Sequence, residues 1–189
     1  MHRAPFAARR CRTTFETCSH LPPEDKYAWE DFELGWSHYG SVGSVIYALC
    51  GEDDFLKYMR RLAFMVLSGN ADAHLKNWAL FYPDGVRPRL APVYDVVSTV
   101  VYSSIHTHTA LRWYEPPTPT MERPMQLVDV SLDELLTVAS LSPVDTSRVM
   151  DDLEAFIREV RGVWIDVAAT APAVVRDRVT AHLAASKLQ

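Results

Sequence analysis

The chain has 189 residues, the size of one domain able to bury a sizeable core. An apolar share of 48% and a charged share of 23% are ordinary for a globular protein, and a net charge of −5 speaks against a general nucleic-acid-binding surface. Cys11, Cys18 and Cys50 form no C-x-x-C and no even set, which fits a reducing, cytoplasmic setting better than a disulfide framework; no apolar run is long enough for a membrane span.

The first 12 residues carry four arginines and no acid. No apolar stretch follows, so they read as a disordered N-terminal segment, drawn at 1–14, rather than a targeting peptide. Pro22-Pro23 breaks the mixed stretch 15–34. Val42, Val45, Ile46 and Leu49 form a helical stripe over 41–49 that Gly51 can end. A stronger helix is expected over 53–68, with Phe55, Met59, Leu62 and Val66 on one face and Arg60 and Arg61 on the solvated side. Glu52, Asp53 and Asp54 suit its N-terminal dipole, and Gly69 stops it.

Beyond a polar loop the period changes to two, with Trp78, Leu80 and Tyr82 on one face. Pro83-Asp84-Gly85 is a turn, and 89–94 is expected to return as a strand. That hairpin brings Asp95 back beside the loop that launched it. Residues 95–102, rich in Val and Thr, are expected to be extended, and 115–124, with its prolines, to be a surface loop. Ser131 to Glu134 is a capping box. Ser142-Pro143 is expected to cap a long helix burying Met150, Leu153, Ile157, Val160 and Trp164. A last helix from Pro172 should turn Val175, Val179 and Leu183 inward.

The polar loop holds Asp72 and Asn77 five positions apart, with Asp95 following after the hairpin. Phosphoryl transfer from ATP needs a carboxylate to orient a hydroxyl and take its proton, and oxygen ligands to hold Mg²⁺ on the phosphates. Kinase catalytic loops use Asp, an Asn five positions on, and a later Asp. Asp72 then takes the catalytic-base role, Asn77 and Asp95 the metal-ligand roles. Lys76 can neutralise phosphate charge, and His74 can hold the loop by hydrogen bonding. The pair His106 and His108 shares a strand face but has no third ligand nearby, so exposed polar residues are expected there rather than a metal site. Trp113-Tyr114 is expected to pack in the core or anchor a loop.

The full strings say more. GNADAHLKN at 69–77 and LAPVYDVVS at 90–98 resemble the HipA-type serine/threonine kinases, toxins of bacterial toxin–antitoxin systems. The matching positions are Gly69, Asn70, Asp72, His74, Lys76 and Asn77, then Pro92, Tyr94, Asp95 and Ser98. A looser likeness covers 15–183, and the domain is drawn at 15–189. The resemblance implies a mainly α fold with a small β-hairpin, the C-terminal lobe of a two-lobed kinase. It implies ATP and Mg²⁺ as cofactors, with Asp72 as base and Asn77 and Asp95 as Mg²⁺ ligands. It also implies a helix-turn-helix antitoxin as partner, and DNA contact only through that partner.

The family's phosphate-covering loop and nucleotide-gripping lysine have no counterpart in the 68 residues ahead of Gly69. Gly40 and Gly43 are too isolated to form such a loop. The chain therefore reads as a large lobe without its small nucleotide lobe, and little kinase activity is expected of it alone. Three readings follow: a kinase, a non-enzymatic remnant that binds the antitoxin, or one half of a split kinase. The surface above Asp72 and Asp95 is expected to be open and apolar.

Overall fold

A computed structural model describes residues 12–14, 38–102, 104, 107–114 and 125–189. The order is β1 (Arg12–Thr14), α1 (Tyr39–Cys50), α2 (Glu52–Leu67), β2 (Ala79–Phe81), β3 (Arg89–Leu90), α3 (Leu132–Ser140), α4 (Thr146–Ala168) and α5 (Ala173–Ala185). Short 3₁₀ turns lie at Leu75–Asn77, Thr99–Val101 and Leu127–Asp129. The three strands form one antiparallel sheet in the order β1-β2-β3. Leu80 of β2 lies opposite Leu90 of β3 and Thr13 of β1. Arg12–Thr14, assigned from sequence to a segment ahead of the domain, thus pairs with its hairpin. The expected 115–124 loop and His106 fall outside the described residues.

The core is built on α2. Phe55, Met59, Leu62 and Val66 are all fully buried, as their spacing dictates. The helix packs against α1 on one side and α4 on another. At the α1 crossing a Cβ on Gly43 would stand 3.0 Å from the Tyr58 ring, so this glycine serves close helix contact rather than a phosphate. Helix α1 begins two residues earlier than its apolar stripe, because His38 caps it. The Ser41 N–H donates to His38 Nδ1 at 3.0 Å, and the Tyr39 and Gly40 amides donate to the Arg112 and Trp113 carbonyls. Leu49, expected inward, is exposed at the last turn. Trp113 is buried against Tyr39, with ring centroids 5.0 Å apart.

Three other expectations change. The return strand stops at Leu90 instead of running to 94. Pro88 and Pro92 offer no N–H to a ladder, and the Leu90 N–H goes to the Asp54 carboxylate at 3.1 Å. Residues 95–102 are not extended, since Thr99–Val101 closes a 3₁₀ turn. Helix α4 is capped by Asp145, whose carboxylate accepts the Ser147 N–H at 3.0 Å, and not by Ser142. Starting there, α4 fully buries Val149, Leu153 and Ile157, while Met150, Val160 and Trp164 are half-buried. The capping box at Ser131 and Glu134 forms as expected. In α5, Val179 and Leu183 are buried and Val175 is half-buried.

Candidate functional site

The site begins where α2 ends. Gly69 takes φ +69°, and a Cβ there would lie 2.4 Å from the Val100 side chain. Left-handed backbone and close approach both demand glycine. The Asn70 N–H then donates to the Met65 carbonyl at 2.9 Å, and the buried Asn70 Oδ1 accepts the Asp72 N–H at 2.9 Å. The buried Tyr39 hydroxyl donates to the Ala73 carbonyl at 3.1 Å, tying the loop to α1. His74 is buried and opens the 3₁₀ turn, its carbonyl accepting the Asn77 N–H at 3.0 Å. Its Nε2 stands 3.9 Å from Asp72 Oδ1, beyond hydrogen-bond range but next to the carboxylate. The Asp72 side chain is half-exposed.

The second motif clamps the first. Ser98 Oγ donates to the Ser68 carbonyl at 2.5 Å, and Thr99 Oγ1 donates to the Gly69 carbonyl at 3.0 Å. Thr99 Oγ1 also accepts the Ala71 N–H at 2.8 Å, and the Val100 N–H reaches the Gly69 carbonyl. The Tyr94 hydroxyl donates to the Lys76 carbonyl. Between these ties Asp95 sits at φ +57°, alone in positive φ among the described non-glycine residues. Aspartate tolerates that region better than most residues.

Asn77 and Asp95 meet there. Asn77 Nδ2 donates to Asp95 Oδ2 at 2.9 Å. The carboxylate can only accept, so the amide orientation is fixed and Asn77 Oδ1 points elsewhere. That oxygen is buried and has no hydrogen-bond partner. A buried acceptor beside a carboxylate is the donor set a hard divalent cation takes. Among the described residues no group of three or more His, Cys, Asp or Glu could hold a metal. Two protein oxygens nonetheless suit Mg²⁺, which fills its remaining positions with water and phosphate oxygens.

Asn77 and Asp95 line a cleft of about 30 Å³ with Asn70, Ala73, Trp78 and Arg61. That holds a water or two, whereas ligand pockets run to roughly 300 Å³ and more. A nucleotide would lie over this cleft rather than inside it. Val93, Val96 and Val97 are exposed on either side of Asp95, the apolar surface expected there.

Arg61 was missed. Expected on the solvated side, it is half-buried and donates to the Ala91 carbonyl at 2.6 Å. Its neighbours one turn either way, Tyr58 and Met65, are buried, and that i, i+3, i+7 placement is the signal that could have found it. Arg60 does face outward, paired with Asp152 at 2.8 Å. His108 is half-buried against Gln126, with 3.0 Å between side-chain nitrogens.

The model of the HipA-like C-terminal domain family matches residues 3–163. The chain belongs to that family. The HipA-like chain is 29% identical over 186 residues to the Sinorhizobium fredii protein named Putative kinase Y4dM, covering 96% of this chain and 44% of the relative. A second Sinorhizobium fredii protein, named Putative kinase Y4mE, is 35% identical over 94 residues, 49% of this chain and 21% of its own. Among solved structures, HipA from the Shewanella oneidensis toxin–antitoxin complex of HipA, HipB and operator DNA superposes with a TM-score of 0.71 at 17% identity. The match covers 97% of this chain and 45% of that one, and it establishes the HipA fold for this mainly helical domain. The chain thus spans under half the length of these relatives. Among the described residues no helix is long and apolar enough to cross a membrane.

Proposed function

We propose that this HipA-like domain carries the acid and metal half of a kinase site, transferring the γ-phosphoryl of ATP to a serine or threonine hydroxyl of a protein. The observation that carries the reading is the buried, unpartnered Asn77 Oδ1 beside the Asp95 carboxylate. Those two oxygens would hold Mg²⁺, which when bound neutralises charge on the β- and γ-phosphates. Asp72, half-exposed on the same loop, orients the attacking hydroxyl and accepts its proton at a carboxylate oxygen. The neighbouring buried His74 holds that loop in place, and Lys76 contributes a cation to the transferred group. The kinase names of the relatives and the HipA fold support the same reading.

In cellular terms the reading is a toxin–antitoxin kinase. The Shewanella oneidensis structure, in which HipA is bound with HipB and operator DNA, supports a small antitoxin as partner and DNA contact through it. The acidic net charge of −5 is in keeping with an indirect contact.

Thermal denaturation with ATP tests the nucleotide–metal part. Stabilisation is expected with Mg²⁺, little with EDTA, and none in Asp95→Asn. A shift that ignores both Mg²⁺ and Asp95 would sink the metal assignment. For the base, transfer from radiolabelled ATP should be low for the chain alone; with a small nucleotide lobe supplied alongside, it should rise, and fall about 10²–10⁴-fold in Asp72→Asn. Equal transfer by that variant would remove Asp72 from its role.

A further inference from the structure

Residues 92–97 carry Asp95, and burial does little to shape them. Pro92, Val93, Asp95, Val96 and Val97 are exposed, and only Tyr94 is half-buried. A surface segment without an apolar anchor takes its geometry from its ties: the Tyr94 hydroxyl on the Lys76 carbonyl and the Asn77 amide on Asp95 within it, and one tie at each end. The C-terminal tie is the pair of hydroxyls from Ser98 and Thr99. The N-terminal tie is Ala91, which is buried, hydrogen-bonded to the Ala79 carbonyl at 2.8 Å, and gripped through its own carbonyl by Arg61 at 2.6 Å.

We propose that Arg61 is a positioning residue for Asp95: from the middle of α2 it fixes the Ala91 carbonyl, and so sets where the carboxylate stands relative to Asn77 and how tightly the pair binds a divalent cation. This rests on the metal reading of Asn77 and Asp95. Three observations carry it.

The bond is short and charge-assisted, and Arg61 comes from the best-buried helix of the domain, so its anchor does not move with the loop. Pro92 follows at once and locks φ, so the orientation of the Ala91 peptide passes into the segment with little slack. Asp95 itself sits at φ +57°, a conformation that persists only where the surroundings over-determine it. Arg61 also lines the same cleft as Asn77 and Asp95. Burial there pushes its pKa down, with Asp54 partly offsetting the effect, and the guanidinium keeps a firm acceptor in Ala91.

The test uses the whole chain, Mn²⁺ as probe and hydrogen exchange as a second readout. Mn²⁺ affinity should fall about tenfold in Arg61→Gln, as for other groups that orient a ligand without touching the metal. Arg61→Lys should recover part of it, since lysine keeps the charge but not the planar fork. Asp95→Asn should abolish binding. Amides of 93–97 should exchange faster in Arg61→Gln, while those of α2 and α4 keep their protection. Wild-type affinity together with unchanged exchange over 93–97 in folded Arg61→Gln would overturn the proposal. Absence of Mn²⁺ binding to the wild type would instead remove the metal reading. Unchanged loop exchange would then remove the positioning role as well.

Discussion

The Asn77 amide donates to the Asp95 carboxylate across 2.9 Å, tying a side chain of the first motif directly to one of the second. It orders Asp95 and leaves the Asn77 carbonyl oxygen open. Replacing Asn77 with Asp exchanges a donor for a second carboxylate at the same spacing. Without metal the two charges repel, and the variant should lose about 1–2 kcal/mol, because Asp95 is exposed and partly screened. Mn²⁺ should restore more stability to Asn77→Asp than it gives the wild type. Denaturant titrations with and without Mn²⁺ check both signs. An apo variant as stable as wild type would show that the two side chains do not face each other as described.

Gly69 is the hinge between α2 and the loop. Gly69→Ala adds a Cβ at φ +69° and 2.4 Å from Val100. The left-handed conformation costs about 1 kcal/mol and the overlap about as much again or more. The loss should be about 2–3 kcal/mol, read as a midpoint lower by some 5–10 °C for a domain of this size. Adding Val100→Ala should recover the overlap part but not the backbone part. If the double variant is no better than the single one, Val100 is not the obstacle.

Helix α2 and the two motifs were legible because their signals are local. Phe55, Met59, Leu62 and Val66 repeat at helical spacing, and all are buried. The approach of Asp95 to Asn77 followed from hairpin connectivity alone. What sequence misjudged was decided by competition between comparable groups. Ser142 and Asp145 are both good caps, and Asp145 won by taking both the amide and the hydroxyl of Ser147. The strand expected to reach residue 94 ends at 90: the last bond to β2 runs from the Ala91 amide to the Ala79 carbonyl, Pro92 follows it, and Asp95 turns to φ +57°. The seating of the Tyr39 and Gly40 amides at the start of α1 and the Arg61 brace depend on carbonyls far along the chain, which no local pattern records.

Asp54 makes an acid-sensitive joint between α2 and β3. It is buried, which by itself would raise its pKa. Hydrogen bonds from Arg89 at 2.7 Å, Lys57 at 2.7 Å and the Leu90 amide outweigh burial and hold the carboxyl near about 2. The folded pKa lies below the unfolded value of about 3.9, so the native state binds the proton more weakly. Its stabilisation is complete above pH ~4 and is lost as pH falls from there towards 2. Asp54→Asn should cost about 2 kcal/mol at pH 7, less than a fully buried pair, because Arg89 and Lys57 can turn to water. The gap between wild type and variant should narrow between pH 4 and 2. A constant gap would remove the ionised carboxylate as its cause.

His182 couples α5 to the end of α2, and its sign is the reverse of a surface histidine's. Its Nε2 lies 2.6 Å from the Val66 carbonyl, which can only accept, so that nitrogen carries the proton. Burial pushes the imidazole pKa down, the Val66 carbonyl partly offsets this, and the Arg161 charge adds to the downward push. Folded, the ring stays neutral where the unfolded chain would take a proton, so the unfolded state binds more protons below about pH 6.5. Stability from His182 is therefore complete above that value and declines as pH falls towards the depressed folded pKa. His182→Gln keeps a donor for Val66 without the titration. Wild type should lose more stability than this variant between pH 7.5 and 5.5, the other histidines being common to both. Because Val66 lies three residues before Gly69, the same acid range should raise amide exchange in the 69–77 loop of the wild type more than in the variant. Parallel pH profiles for the two proteins would show that His182 is not the group responsible.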